Sequence, residues 1–191
     1  MTNSSLQTPP PNPALRATHS LLGALAFAAH KHRDQRRKGS MAPPYINHPI
    51  AVAQVLASEG GIDDPVVLMA AILHDTIEDT ETTAEELRDA FGEAVTAIVL
   101  EVTDDKSLKK EERKALQIAH AAGRSQAARL VKLADKISNL RDIAHDPPGN
   151  WPLQRQQEYF DWAKAVVDQL RGTHAGLEAA FDVAHSSKPA K

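Results

Sequence analysis

The chain has 191 residues, 42% of them hydrophobic and 25% charged, enough for one domain with a sizeable core. A formal net charge of -3 excludes the global basic field that nucleic-acid binding needs, and 4% aromatic residues are too few for base-stacking platforms. With no cysteine, disulfides, zinc ribbons and thiolate catalysis are excluded, and only nitrogen and oxygen ligands remain for a metal.

Residues 1–13 carry four prolines among Ser, Thr and Asn, so we expect a disordered tail there, a helical domain over 14–185 and a short tail at 186–191. From Leu15 to His32 apolar residues recur at helical spacing and predict a first helix. Its apolar part, Leu21 to Ala29, is too short to span a bilayer and follows no basic leader, so a soluble, cytoplasmic protein without membrane partners is expected. His19, His30 and His32 have no accompanying carboxylate cluster and read as surface or boundary residues. Lys31, Arg33, Arg36, Arg37 and Lys38 then bring five cations together before the breakers Gly39 to Pro44. Taken alone, that cluster is a solvated helix end meeting the negative pole of the dipole.

Asn47 or His48 near a cap and Pro49 in the first turn open a second helix that ends at Glu59-Gly60-Gly61. Asp63 or Asp64 before Pro65 starts the next, which runs through Ala70-Ala71-Ile72-Leu73 into His74-Asp75-Thr76-Ile77-Glu78-Asp79. On a continuous helix His74 lies above Glu78 and Asp75 above Asp79. Burying such a cluster beside an apolar run is costly unless a cation compensates, so this stretch reads as half of a metal site. A core imidazole beside a helix-end carboxylate is the plainer alternative.

Thr82 or Thr83 with Glu85 or Glu86 has capping-box spacing for a helix from Thr83 to Phe91, stopped at Gly92. Further helices are expected over Glu93–Val102 and, as an exposed charged scaffold, Lys109–Ala122. In Ala127–Ala144 an apolar face is interrupted by Asp135 and Asn139, four apart and on one side. Asp135 could pair with Arg141 or Lys136, but beside an apolar stripe it is the natural fourth ligand, with Asn139 facing the same cavity. Pro147-Pro148-Gly149 precedes helices over Leu153–Leu170 and Thr173–Ala184. No stretch alternates with period two, so the fold class is all-α.

His48, His74, Asp75 and Asp135 thus offer two imidazoles and two carboxylates, a complete set for a single Mn²⁺, Fe²⁺, Co²⁺ or Zn²⁺ ion. Glu78 and Asp79, one turn further on, are surplus to ligation and suit a general base acting on water, which is a hydrolase layout.

His48, Leu73-His74-Asp75 and Asp135 resemble the HD-domain metal phosphohydrolases. The longer motifs Arg36-Arg37-Lys38, Pro44-Tyr45-Ile46-Asn47-His48-Pro49, Leu73 to Thr80, Glu101 to Lys106 and Leu130 to Arg141 are similar to the hydrolase domain of the RelA/SpoT alarmone enzymes, and most of all to the stand-alone small alarmone hydrolases. The similarity runs from about Leu21 to Leu170 and takes in Gln157 to Trp162. It implies a single HD-domain helical bundle with a mononuclear Mn²⁺ site on His48, His74, Asp75 and Asp135, and Glu78 and Asp79 activating water. It also implies cleavage of the 3′-pyrophosphate of (p)ppGpp or (p)ppApp to GDP or GTP, ADP or ATP, plus pyrophosphate. On this resemblance Arg37 and Lys38 line the nucleotide site, Asn139 contacts the nucleoside, Tyr159 the phosphate or ribose, and Lys106 faces the phosphates. The chain leaves no room for the synthetase domain of the larger relatives, so hydrolysis without synthesis is expected. A 2′-phosphatase of NADPH, a general HD nucleotidase and an inactive alarmone-sensing module are the alternatives; a homo-oligomer is left open.

Overall fold

The computed structural model describes residues 12–190. The expected all-α architecture is present in α1 (Pro13–Lys31), α2 (Asn47–Ser58), α3 (Pro65–Leu73), the single turn α4 (Thr76–Asp79), α5 (Ala84–Phe91), α6 (Glu93–Val102), α7 (Lys110–Ala121), α8 (Gln126–His145), α9 (Leu153–Asp168) and α10 (Ala175–Ser186). The only β geometry among the described residues is an isolated bridge between Arg36 and Pro44. No helix among them is long and apolar enough to cross a membrane.

The expected disordered tail at 1–13 lies outside the described residues except at its end. There Asn12 caps α1, its side chain accepting from the Ala14 amide at 3.0 Å, and Pro13 fills the first turn. At the other terminus Ser186 still belongs to α10, and Gln157 donates to the Pro189 carbonyl at 2.9 Å, so the chain beyond α10 runs back against α9.

Two helices, α3 and α8, occupy the middle of the bundle. α3, apolar on every side, packs against α1, α2, α6 and α8. α8 packs against α2, α3, α6, α9 and α10, and buries Leu130, Val131, Leu133, Ile137, Leu140 and Ile143. It also buries Asp135, Lys136 and Ser138, three polar residues that a core excludes unless they are partnered. The caps are local in origin: Asp64 accepts from the Val66 amide, Thr83 from the Glu86 amide, and Ser125 from the Ala128 amide. α2 departs from expectation, beginning at Asn47 with no side-chain cap.

The helix expected to run unbroken through His74 to Asp79 is interrupted. α3 ends at Leu73, Asp75 sits at φ -98°, ψ -1°, and α4 restarts as one turn. Side chains replace the lost backbone pairing, since Thr76 Oγ1 donates to the Leu73 carbonyl at 2.7 Å and His74 Nδ1 lies 2.8 Å from the Ala71 carbonyl. A second correction concerns His32, which is buried rather than superficial, stacked on Tyr45 with Nδ1 2.6 Å from Gln35 Oε1.

Candidate metal centre and substrate cleft

α2, the α3–α4 junction and α8 each deliver one part of a buried donor set. His48, His74 and Asp135 present ligand atoms within 4.8 Å of one another. Asp135 Oδ1 is 3.2 Å from His48 Nε2 and 3.8 Å from His74 Nε2, while Asp75 Oδ2 is 3.1 Å from His74 Nε2 and 4.0 Å from His48 Nε2. The four residues singled out by the sequence therefore converge, Asp75 at the edge of the group.

Hydrogen bonding fixes what these atoms offer. The Ala71 carbonyl can only accept, so His74 carries its proton on Nδ1 and aims Nε2 at the carboxylates. That Nε2 is buried with no aligned hydrogen bond, although Asp75 Oδ2 is close. A lone pair facing carboxylate oxygens inside a protein demands a positive charge between them. When no cation is bound, the same carboxylates draw a proton onto that nitrogen instead. Burial lowers the His74 value, but the Asp75 carboxylate more than reverses this and raises it to about 9, whereas burial leaves His48 below its ordinary value. Burial also pushes both carboxyls up, but His74 outweighs it at Asp75 and Lys136 at Asp135, holding both well below the usual range and ionised. Two nitrogens and two ionised oxygens without sulfur fit a divalent cation, and the orphaned Nε2 is where it is needed.

Surrounding groups orient the donors. Ser138 Oγ is 3.2 Å from His48 Nδ1. Tyr45 donates its hydroxyl to Asp75 Oδ2 at 2.5 Å and lies 3.1 Å from Asp79 Oδ2. Asn139 donates to Asp135 Oδ1 at 2.6 Å, and buried Lys136 holds Asp135 Oδ2 at 3.1 Å with its ammonium over the Trp162 ring, 4.3 Å from the centroid. Of the two partners considered for Asp135 from sequence, Lys136 does pair with it; Arg141 pairs with Glu59 instead. Glu78 accepts from the Asp104 amide at 3.0 Å and has Arg113 NH1 at 3.7 Å. Burial, opposed by that amide and aided by neighbouring carboxylates, raises its pKa.

Above this centre opens a cleft of about 780 Å³, lined on one side by the loop before α2 and on the others by α7, α8 and the start of α9. Arg37, Lys38, Asn139, Tyr159 and Asp79 line it, and Glu78 is not among the lining residues. Arg37 donates to Asn139 Oδ1 at 2.9 Å and to Asp142 at 2.6 Å, so Asn139 links the loop to Asp135. Lys106 is not among the lining residues; it is exposed, and its ammonium pairs with Asp79.

Sequence reasoning missed much of this wall. α7, expected to be scaffold, contributes Lys110, Arg113, Lys114 and Gln117, and α9 contributes Arg155 beside Trp151 and Trp162. The rings of Trp151, Tyr159 and Trp162 form a row with centroids 5.8 and 5.2 Å apart. Lys38, Lys110, Lys114 and Arg155 have no carboxylate within ion-pair distance among the described residues. The signal available was the i, i+3, i+4 spacing of Lys110, Arg113 and Lys114, but many exposed helices carry it.

A helical bundle with buried imidazoles and carboxylates under a cationic, aromatic cleft has the build of a metal-dependent hydrolase. The chain belongs to the HD-domain family, whose model matches residues 24–161. It is 57% identical over 162 residues to the guanosine-3′,5′-bis(diphosphate) 3′-pyrophosphohydrolase MESH1 of Xenopus tropicalis, covering 85% of this chain and 90% of that protein. The Homo sapiens MESH1 is 56% identical over 161 residues, 84% of this chain and 90% of that one. Among solved structures, that of a metazoan SpoT orthologue that hydrolyses ppGpp superposes with a TM-score of 0.86 at 47% identity, over 94% of this chain and 97% of its own.

Proposed function

We propose that this protein is a cytoplasmic, Mn²⁺-dependent 3′-pyrophosphohydrolase of guanosine alarmones, converting ppGpp to GDP and pppGpp to GTP with release of pyrophosphate. The observation that carries the reading is a buried His48–His74–Asp135 donor set opening onto a cleft whose Lys38, Lys110, Lys114 and Arg155 cations lack carboxylate partners among the described residues, in a chain of net negative charge. Kinship with MESH1 chooses the guanosine tetraphosphate among phosphate-rich ligands.

His48, His74, Asp75 and Asp135 would hold the ion, which when bound supplies Lewis-acid polarisation of a phosphoryl oxygen and a more acidic water. The Asp79–Glu78 carboxylate pair takes one proton from the attacking water as its oxygen bonds to the phosphorus on the ribose 3′-oxygen. Glu78 is suited to this by its burial, and Asp79 is fixed by Tyr45 and Lys106. The P–O3′ bond breaks, the 3′-oxygen takes that proton back from the carboxylate pair, and pyrophosphate leaves. Arg37, Lys38 and the α7 cations offset charge on the phosphates, Asn139 meets the nucleoside, and Tyr159 with its flanking indoles offers an aromatic wall.

The test is product analysis with ppGpp, ppApp and NADPH in parallel, with and without Mn²⁺, alongside Glu78→Ala. Pyrophosphate from ppGpp, dependent on Mn²⁺ and lost in the variant, is the expected result. Release from ppApp as well would widen the base preference. Orthophosphate from NADPH alone, or no turnover, would overturn the reading.

A further inference from the structure

The loop between α1 and α2 doubles back as a narrow strap. The Arg37 amide donates to the Pro43 carbonyl at 2.9 Å and the Ala42 amide to the Gly39 carbonyl at 3.1 Å, next to the Arg36–Pro44 bridge. Arg36, Arg37, Lys38, Gly39 and Met41 of this strap line the cleft. Its tip is gripped from more than a hundred residues away by Asp146, the residue capping α8. Asp146 Oδ1 accepts from the Ser40 amide at 2.9 Å and from the Ser40 hydroxyl at 2.7 Å, and the Met41 amide is 3.4 Å from Oδ2.

Two features show how closely the strap is seated. A Cβ on Gly39 would stand 2.1 Å from Asp146 Oδ2 and 3.0 Å from the Asp146 carbonyl, so a side chain there would push the Asp146 carboxylate off the strap. Ala42 sits at φ +43°, a left-handed conformation that an alanine keeps only when its surroundings impose it. The cations of the strap are not held alike. Arg37 has its own anchors in Asn139 and Asp142, but Lys38 has no ion pair among the described residues, so its placement follows that of the strap backbone.

We propose that Asp146 is a positioning residue for substrate binding: by holding the Ser40 and Met41 amides it aims Lys38 into the cleft, setting substrate affinity without touching the reacting atoms. The catalytic half of this inference rests on the hydrolase reading above; the structural half does not.

The experiment combines amide hydrogen exchange with steady-state kinetics on full-length Asp146→Ala, Asp146→Asn, Lys38→Ala and the Asp146→Ala/Lys38→Ala double variant. In Asp146→Ala the Ser40 and Met41 amides should lose protection, KM for ppGpp should rise about tenfold with kcat within about twofold, and Mn²⁺ affinity by calorimetry should not move. Asp146→Asn keeps an acceptor oxygen and should stay near the wild type. The double variant should be no worse than the poorer single one, because both remove the same contact. Unchanged protection at Ser40 and Met41 would overturn the proposal whatever the substrate, and lost protection with unchanged KM would overturn its catalytic half. Additive losses, or kcat and Mn²⁺ affinity falling together, would also count against it. A wild type inert on every nucleotide would sink the hydrolase reading alone, leaving exchange to decide whether Asp146 holds the strap.

Discussion

Asp135 is bonded by Asn139, Lys136 and His48 at once, so it is the residue on which the centre turns. Asp135→Asn removes the charge while nearly keeping the shape. Mn²⁺ affinity by calorimetry should then fall at least about tenfold, and unchanged affinity would take Asp135 out of the ligand set. Glu78 makes a contrasting prediction. Its folded-state pKa is raised above the ordinary 4.5, chiefly by burial, so folding favours the protonated carboxyl. Its contribution to stability is therefore whole below about pH 4.5 and lost as pH rises through the raised value. At neutral pH Glu78→Gln should melt above the wild type, with the gap closing on acidification, while turnover collapses; a lower melting temperature at pH 7 would contradict this. Asp135 was legible in the sequence because it interrupts an apolar helical face, and Glu78 because it stands in a cluster of ionisable residues at the end of an apolar run, where a charge needs a reason.

Helices α3, α5 and α8 followed from local chemistry, since Asp64, Thr83 and Ser125 each cap the element they precede. Thr83→Ala should cost about 1 kcal/mol of stability, read as a lower denaturant midpoint, with kcat unchanged because α5 lines no part of the cleft. The break between α3 and α4 was not legible. No proline or glycine marks it, and His74 and Thr76 make it by bonding backbone carbonyls of the preceding turn. Its consequence is functional. Relieved of strict helical phase, Asp75 can reach His74 Nε2 while Glu78 turns to the Asp104 amide.

Across the whole molecule, a surface of net charge -3 surrounds a cleft lined by seven Lys and Arg side chains against four carboxylates. Such a local field is screened by salt, so KM for ppGpp should rise several-fold between about 50 and 300 mM monovalent salt, with kcat little changed. A salt-independent KM would argue that these cations do not meet the phosphates. Removal of the ion by a chelator should lower the melting temperature, and Mn²⁺ should restore it, because binding to the folded form alone stabilises it. By itself the sequence determined the helical class, most element boundaries and the candidate residues that the fold brings together, since hydrophobic period, capping chemistry and buried charge are properties of neighbours along the chain. Only the tertiary structure decided that α7 completes the cleft, that His32 is buried, that Lys106 pairs with Asp79 and that Asp146 holds the strap. Those depend on packing between residues distant in sequence, such as Ser40 and Asp146, whose types are ordinary for exposed loops and carry no local sign of the partner that gives them a role.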